Sequence, residues 1–127
     1  MKNLIIAIVV LVLLFSSILP ISALLVKQGF KKPEATWAPK VVTFGARLRM
    51  KIFRYGSARV ILERAIKTWP EHEKVDEQTY WIGFCYEKSG KEEQAVTWYG
   101  TFLQRWPKHR WAEQAKRRID MIEAKNL

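Results

Sequence analysis

The chain of 127 residues carries 22 Lys and Arg against 12 Asp and Glu, which gives a formal net charge of +10. This length is enough for one small domain and excludes two. The single cysteine, Cys85, excludes an internal disulfide framework and a cysteine-based metal cluster. Because Cys85 falls within a helical apolar pattern, its thiol is expected to be buried and inert.

The first element is the uncharged segment Leu4–Val26, which contains 23 residues. As a helix it would measure roughly 34 Å, and the hydrocarbon core of a bilayer measures about 30 Å. Lys2 and the apolar stretch after it also fit a secretory signal peptide, with a possible cleavage region at residues 20–23. However, the apolar run continues to Val26, and Ile21 is larger than the cleavage pattern requires. We therefore predict that residues 1–26 form an uncleaved, signal-like transmembrane anchor.

The next stretch, KQGFKKPEATWAPK, has the composition of a linker. Gly29, Pro33 and Pro39 are expected to break any helix there. After it, apolar residues recur with helical spacing and without sustained strand alternation. We predict a linker at residues 27–40 and a helical domain at residues 41–127.

Five helices are predicted in this domain from apolar spacing, from Gly and Pro stops and from the possible N-cap Ser57. Their predicted ranges are 41–55, 58–69, 76–88, 91–106 and 109–124. Short connections make consecutive helices antiparallel neighbours. The Trp-Pro pair at Trp69 recurs at Trp106, 37 positions later, which indicates a helical repeat. The predicted fold class is all-α, with one N-terminal transmembrane helix and a short antiparallel array of about five helices.

The segment from Tyr80 to Pro107 resembles a tetratricopeptide repeat. The residues that carry the resemblance are Ile82, Gly83, Tyr86, Gly90, Ala95, Tyr99 and Pro107. Phe102 departs from the pattern, because the family usually has Ala there. A weaker repeat precedes this segment and one further helix follows it, so the resemblance covers about residues 41–125. The segment is also similar to bacterial periplasmic tetratricopeptide proteins of the Tol-Pal system and to lipoproteins of outer-membrane assembly.

The resemblance implies stacked helical hairpins whose inner face binds protein partners. The implied partner-binding groove contains Glu77, Tyr80, Phe84, Glu87, Trp111, Gln114 and Arg118, with Met50, Phe53 and Arg54 from the first helix. Tyr, Trp and Arg dominate interface energies. The same face is also suited to packing against the linker or another subunit. Family members that clamp a carboxylate use Lys and Asn where this chain has Tyr80 and Phe84, so that binding mode is not expected.

Positive charge is concentrated in blocks, with seven basic residues and one acidic residue between Lys40 and Arg64. Arg47, Lys51 and Arg54 are spaced i, i+4, i+7 and are predicted to form a basic membrane-proximal face of one helix. This face is either simply solvated or in contact with anionic lipid or an acidic subunit. Nucleic acid also fits the charge, but the chain has no nucleic-acid motif.

No motif for catalysis or cofactor binding occurs in the sequence. The histidines, His72 and His109, lie beside the Trp-Pro pairs, and there is no HExxH, glycine-rich phosphate loop or spaced Cys/His set. The paired acids Asp76–Glu77 and Glu92–Glu93 stand at helix starts, where they complement the helix dipole. We therefore predict that the protein is not an enzyme and binds no cofactor or metal.

The leading hypothesis is a membrane-anchored tetratricopeptide scaffold that serves as an accessory or assembly subunit of a membrane protein complex. The alternative is a basic domain that binds anionic lipid or nucleic acid. The lysines after the anchor favour a cytoplasmic domain by the positive-inside rule, whereas the resemblance and the signal-like start favour a periplasmic one. We expect a single-pass protein of the bacterial inner membrane with a periplasmic domain, and a cytoplasmic domain is the alternative.

Overall fold

In a computed structural model that describes all 127 residues, the chain forms six helices and no strand. The helices are α1 (Lys2–Lys31), α2 (Ala38–Lys51), α3 (Tyr55–Thr68), α4 (Val75–Lys88), α5 (Glu92–Arg105) and α6 (Ala112–Lys125). The first helix has 30 residues and is long and apolar enough to span a membrane. The all-α prediction, one long apolar helix followed by five shorter ones, is confirmed.

The five shorter helices repeat with a period of 37 residues. Each has 14 residues; α2, α4 and α6 begin at positions 38, 75 and 112, and α3 and α5 begin at 55 and 92. Three-residue turns follow α2 and α4, whereas six-residue turns precede α2, α4 and α6. Because consecutive helices are antiparallel, the three-residue turns lie at one end of the array, the short-turn end. The six-residue turns lie at the opposite end, the long-turn end.

The helices are arranged in two layers. In the inner layer α2, α4 and α6 lie side by side, and Gln78 Nε2 of α4 donates a hydrogen bond to Thr43 Oγ1 of α2 at 2.7 Å. Between α4 and α6, Arg118 donates to Glu87 at 2.9 Å. The outer layer contains α3, α5 and the C-terminal part of α1.

The linker is shorter than predicted, and the prediction that Gly29 and Pro39 break helices is wrong. Helix α1 continues through Gly29 to Lys31, and α2 begins at Ala38, so only residues 32–37 lie outside helices. Gly29 stays helical because it is buried against Val42 and Ala38, where a β-carbon would not fit. Pro39 lies in the first turn of α2, where the missing N–H has no helical partner to lose.

The end of α1 takes the place of the second helix of a preceding hairpin. Pro33, Pro70 and Pro107 are spaced by 37 residues, and each stands two residues after the end of α1, α3 or α5. By this count residues 18–31 of α1 correspond to α3 and α5, and they pack against α2. The predicted anchor and the helical array therefore overlap along the chain.

The contact between these two helices, the α1–α2 seam, consists of Ser22, Gly29, Gly45 and Arg49 with their neighbours. The buried Ser22 hydroxyl donates to the carbonyl oxygen of Gly45 at 2.7 Å and accepts from Arg49 Nε at 2.9 Å. A β-carbon on Gly45 would lie 2.8 Å from Val26 Cγ2 and 3.2 Å from the carbonyl oxygen of Ser22. The missing side chain therefore lets the two backbones approach closely enough for the hydrogen bonds to form.

Two apolar clusters fill the array between its layers. The first contains Val42, Ala46, Ile61, Leu62, Ala65 and Ile82, and the second contains Tyr80, Ala95, Tyr99, Phe102, Ala115 and Ile122. Gly83 lets α5 approach α4, since its β-carbon would lie 2.9 Å from the Tyr99 ring. Phe102 is fully buried, with its ring 5.6 Å from that of Tyr80. The larger residue at this position thus fills the space between α4, α5 and α6.

Helices α2 and α4 end with the same backbone hydrogen bonds, but with different residues. After α4, Gly90 has a φ of 77°, and the Lys91 N–H donates to the Tyr86 carbonyl at 2.9 Å. After α2, Phe53 has a φ of 63° at the corresponding position, and the next N–H donates to a helix carbonyl at 2.8 Å. This left-handed position at a helix end normally favours glycine. Because α2 stops at Lys51, Arg54 lies in the turn, and the prediction that it extends the face of one helix is wrong.

We expect Gly45→Ala to weaken the α1–α2 seam, because the added methyl group would collide with Val26 and with the backbone of Ser22. Overpacking of this kind costs about 1–3 kcal/mol. The free energy of unfolding in mild detergent, followed by circular dichroism, measures the loss. Gly100→Ala is the matched control, because nothing lies within 4 Å of its β-carbon position. An equal effect of both substitutions would contradict the proposed close contact.

Replacing Phe53 by Gly is expected to stabilise the array. The left-handed backbone costs a non-glycine residue about 1–2 kcal/mol, and the ring is 73% exposed, so little packing is lost. The free energy of unfolding of Phe53→Gly should therefore rise by about 1 kcal/mol. The reciprocal variant, Gly90→Ala, should lower it by a similar amount. A lower free energy of unfolding for Phe53→Gly would contradict this expectation, because it would mean that the exposed ring makes a stabilising contact.

Candidate docking face

The inner layer presents side chains that recur at the same helical positions. Counting by 37 residues along α2, α4 and α6 gives three sets, which are Phe44, Trp81 and Arg118, then Arg47, Phe84 and Met121, then Lys51, Lys88 and Lys125. On each helix the three positions are spaced i, i+3, i+7 and so share one face. We call this surface the inner face.

Between α2 and α4 the inner face contains an open cleft of about 410 Å³. Its apolar wall consists of aromatic rings, with Phe84 5.6 Å from Trp81 and 6.0 Å from Tyr55. The opposite rim carries the cations Arg47 and Lys51, which are both exposed. The remaining lining residues are Met50 and Phe53. An apolar wall with a cationic rim can hold a segment that combines apolar and acidic side chains.

A second, smaller depression of about 200 Å³ continues this surface toward the long-turn end. Phe44 of α2 lies there and is 55% exposed, beside Trp81 of α4. Neither residue was among the predicted groove residues, because those positions were taken from the tetratricopeptide pattern. The 37-residue period, applied one unit upstream from Trp81 to Phe44, is the sequence signal that would have found the pair.

The prediction that Tyr80 contacts a partner is wrong. Its ring is 1% exposed and lies 5.1 Å from Trp111 and 5.4 Å from Tyr99. Gln114 Nε2 donates to its hydroxyl at 2.6 Å. Tyr80 therefore joins α4, α5 and α6 as a core residue; Trp111 is half-buried against it, whereas Gln114 is exposed apart from this hydrogen bond.

Glu87 and Arg118, two other predicted groove residues, form an ion pair at the α4–α6 contact. Their side chains are 18% and 24% exposed, and the guanidinium donates to the carboxylate at 2.9 Å. The Tyr99 hydroxyl donates to the same carboxylate at 2.9 Å. The guanidinium also lies 5.2 Å from the Phe84 ring, so one cation bridges the core and the inner face.

The remaining predicted groove residue, Glu77, lies at the start of α4 and accepts from Arg110 at 3.0 Å. Its neighbour Asp76 lies 3.2 Å from Nε2 of His109. Both acids lie in the first turn of α4, as predicted, and in addition they connect α4 to the turn before α6. Glu77 is accordingly neutralised and contributes no free negative charge to the inner face.

Burial governs the titrating groups of the interior. Desolvation raises the pKa of the Cys85 thiol to about 12, so it is protonated at neutral pH. Burial, followed by the nearby Glu87 carboxylate, raises the pKa of Tyr99 as well. Neither group is activated as a nucleophile by these surroundings. The cleft of the inner face accordingly offers aromatic rings and cations rather than an activated nucleophile.

Comparisons with known proteins leave the chain without an assigned family. No family model matches the sequence, and no curated protein matches it.

We expect Glu87→Ala to destabilise the α4–α6 contact by about 2 kcal/mol, because it leaves a partly buried guanidinium and a phenol without their acceptor. Glu113→Ala is the control, since Glu113 pairs with Arg117 at 3.8 Å while both side chains are largely exposed. Exposed pairs contribute roughly 0–1 kcal/mol. Thermal unfolding of both variants measures the difference, and equal midpoints would contradict a structural role for Glu87.

Proposed function

We propose that this protein is a membrane-anchored scaffold of the tetratricopeptide type, which holds a partner protein on its inner face close to a bilayer. The observation that carries the proposal is the exposed ring of Phe44 together with the aromatic cleft of Trp81 and Phe84, bordered by Arg47 and Lys51. Apolar clusters of this kind on a surface are typical of docking sites. The role is non-enzymatic.

The proposed anchor is α1. Its residues up to Ser16 are exposed and almost entirely apolar, a composition that lipid favours over water. Cleavage in the region 20–23 would separate Ser22, or the helix that leads to it, from the array. Because Ser22 is buried and holds both Gly45 and Arg49, the α1–α2 seam favours a helix that is retained.

The tetratricopeptide assignment is supported by the packing of one hairpin. Gly83 faces Tyr99 at the α4–α5 contact, and Gly90 closes α4 in the left-handed conformation. The period of 37 residues exceeds the 34 of the family unit, and the six-residue turns between hairpins hold more residues than the three-residue turns within them. Together with the end of α1, the array contains about three units, which is the number such arrays usually need for stability.

The chemistry of the inner face favours a partner segment with apolar and acidic side chains. Arg47, Lys51 and Lys88 are exposed on it, whereas Glu77 and Glu87 are held by arginines. A partner that is itself a membrane protein, such as a subunit of a membrane complex, would present such a segment close to the bilayer. We propose that the domain lies on the periplasmic side of a bacterial inner membrane, on the basis of the sequence resemblance of the segment around Gly83 and of the signal-like start of the chain.

Site-specific photo-crosslinking in cells tests the docking role. A photoreactive amino acid at Phe44 should give a discrete crosslinked protein, because Phe44 is 55% exposed and a partner on the inner face would lie within reach of it. The same group at Val60, which is 54% exposed on α3, is the control and should give none. Arg47→Glu should abolish the crosslink. Equal crosslinking at both positions would rule out the inner face as the docking site.

The membrane assignments are tested separately. The chain should stay with membranes through alkaline carbonate extraction, whereas release would overturn the anchor. In spheroplasts, external protease should degrade the domain without lysis. Degradation only after lysis would place the domain in the cytoplasm.

A further inference from the structure

The turn between α2 and α3 contains a largely exposed aromatic side chain, Phe53, which also lines the edge of the cleft between α2 and α4. Phe53 is 73% exposed and has a φ of 63°, although the corresponding residue after α4 is Gly90. Its nearest ring is Tyr55, at a centroid distance of 6.2 Å. A bulky residue in this backbone conformation is strained, and such positions cluster at functional sites.

The α1–α2 seam fixes the height of this turn relative to α1. Gly29 of α1 faces Val42, and Gly45 of α2 faces Ser22 and Val26, so the two helices are antiparallel and in register. Extending the register along α2 brings Phe53 roughly level with residue 17 of α1. The segment Lys2–Ile21, which precedes the first buried contact, would measure about 30 Å and so match a hydrocarbon core. The turn therefore reaches roughly 6 Å toward the bilayer beyond the level of Ile21.

Exposed cations surround the turn and continue along the same end of the array. Lys51 and Arg54 flank Phe53 directly. Farther along the short-turn end are Lys88 and Lys91, and also Lys125, which pairs with Glu92 at the start of α5. Lysines at helix ends also complement the helix dipole, which accounts for Lys51, Lys88 and Lys125 but not for Phe53. An aromatic ring between cations at this height fits the boundary between headgroups and acyl chains.

We propose that the α2–α3 turn is a lipid-binding wedge: Phe53 inserts below the headgroups of an anionic membrane, and Lys51 and Arg54 bind the lipid phosphates. The proposal rests on the proposed anchoring by α1, from which it differs in naming a second, reversible contact with the bilayer. This contact fixes the orientation of the array on the membrane, with Lys88 and Lys91 facing the same surface.

A spin label next to the turn tests the wedge in the full-length chain, reconstituted in nanodiscs that contain phosphatidylglycerol. Gly56→Cys supplies the label site, because it is exposed and nothing lies within 4 Å of its β-carbon position. Cys85 is not expected to take the label, since its thiol is fully buried and burial raises its pKa. Glu71→Cys at the long-turn end is the reference for full exposure to water. Relaxation by a water-soluble nickel chelate reports how deeply each label lies.

We expect the label at position 56 to be several-fold less accessible to the chelate than the label at position 71. Adding Phe53→Gly should raise its accessibility several-fold, without loss of folding, because glycine suits that backbone. Val60→Ser should change nothing. In nanodiscs of phosphatidylcholine alone, the accessibility of the label at position 56 should be intermediate, because this lipid carries no net negative charge and attracts Lys51 and Arg54 less strongly.

These outcomes distinguish a failure of the wedge proposal from a failure of the proposed anchor. A chain that enters nanodiscs but shows equal accessibility at positions 56 and 71 overturns the wedge and leaves the anchor intact. An accessibility that Phe53→Gly leaves unchanged also overturns the wedge. A chain that fails to enter nanodiscs overturns the anchor and the wedge together.

Discussion

Every other part of the structure depends on how closely α1 packs against α2. Ser22 and Gly45 bring the two backbones together, and Arg49 Nε donates a second hydrogen bond to the Ser22 hydroxyl oxygen. The array has no other covering for this side of α2, because the first complete hairpin begins only at Ala38. A helix that is apolar enough for lipid thus also supplies part of the outer layer of the helical array. The chain needs no flexible linker between these roles, and residues 32–37 form an ordinary turn between hairpins.

The interior is unusual in its use of aromatic and polar groups. Tyr80 and Tyr99 are buried, and each hydroxyl has a partner on a neighbouring helix, Gln114 or Glu87. Such buried polar contacts add little net stability but fix which helices pair and in what register. The aromatic rings left over after this packing, above all Phe44 and Trp81, define the inner face. The division between the core and the proposed docking surface therefore follows from which rings α6 covers.

The sequence predicted the helices and their order, because glycines, prolines and apolar spacing are local signals. It did not predict the fate of Gly29 and Pro39, since a glycine inside a helix is explained only by the partner that lies against it. Likewise, Tyr80 looked available for binding because its burial depends on Trp111, which lies more than 30 residues away in the sequence. Arg54 was misplaced because the left-handed Phe53 stops α2 where glycine would have been the expected signal. The 37-residue period was visible in the sequence and leads from Trp81 to Phe44, but the meaning of its extension to Pro33 needed the observed end of α1.

A continuous helix shared by bilayer and array has a mechanical consequence. Membrane helices accommodate a change in bilayer thickness largely by tilting. Because residues 22–30 of α1 are packed into the array, a tilt of the membrane segment would be transmitted to α2 and to the cleft beside it. A thinner bilayer would then turn the opening of the cleft toward or away from the lipid surface. Under the proposed anchoring, the protein would couple the thickness of its membrane to the direction in which it presents its docking face.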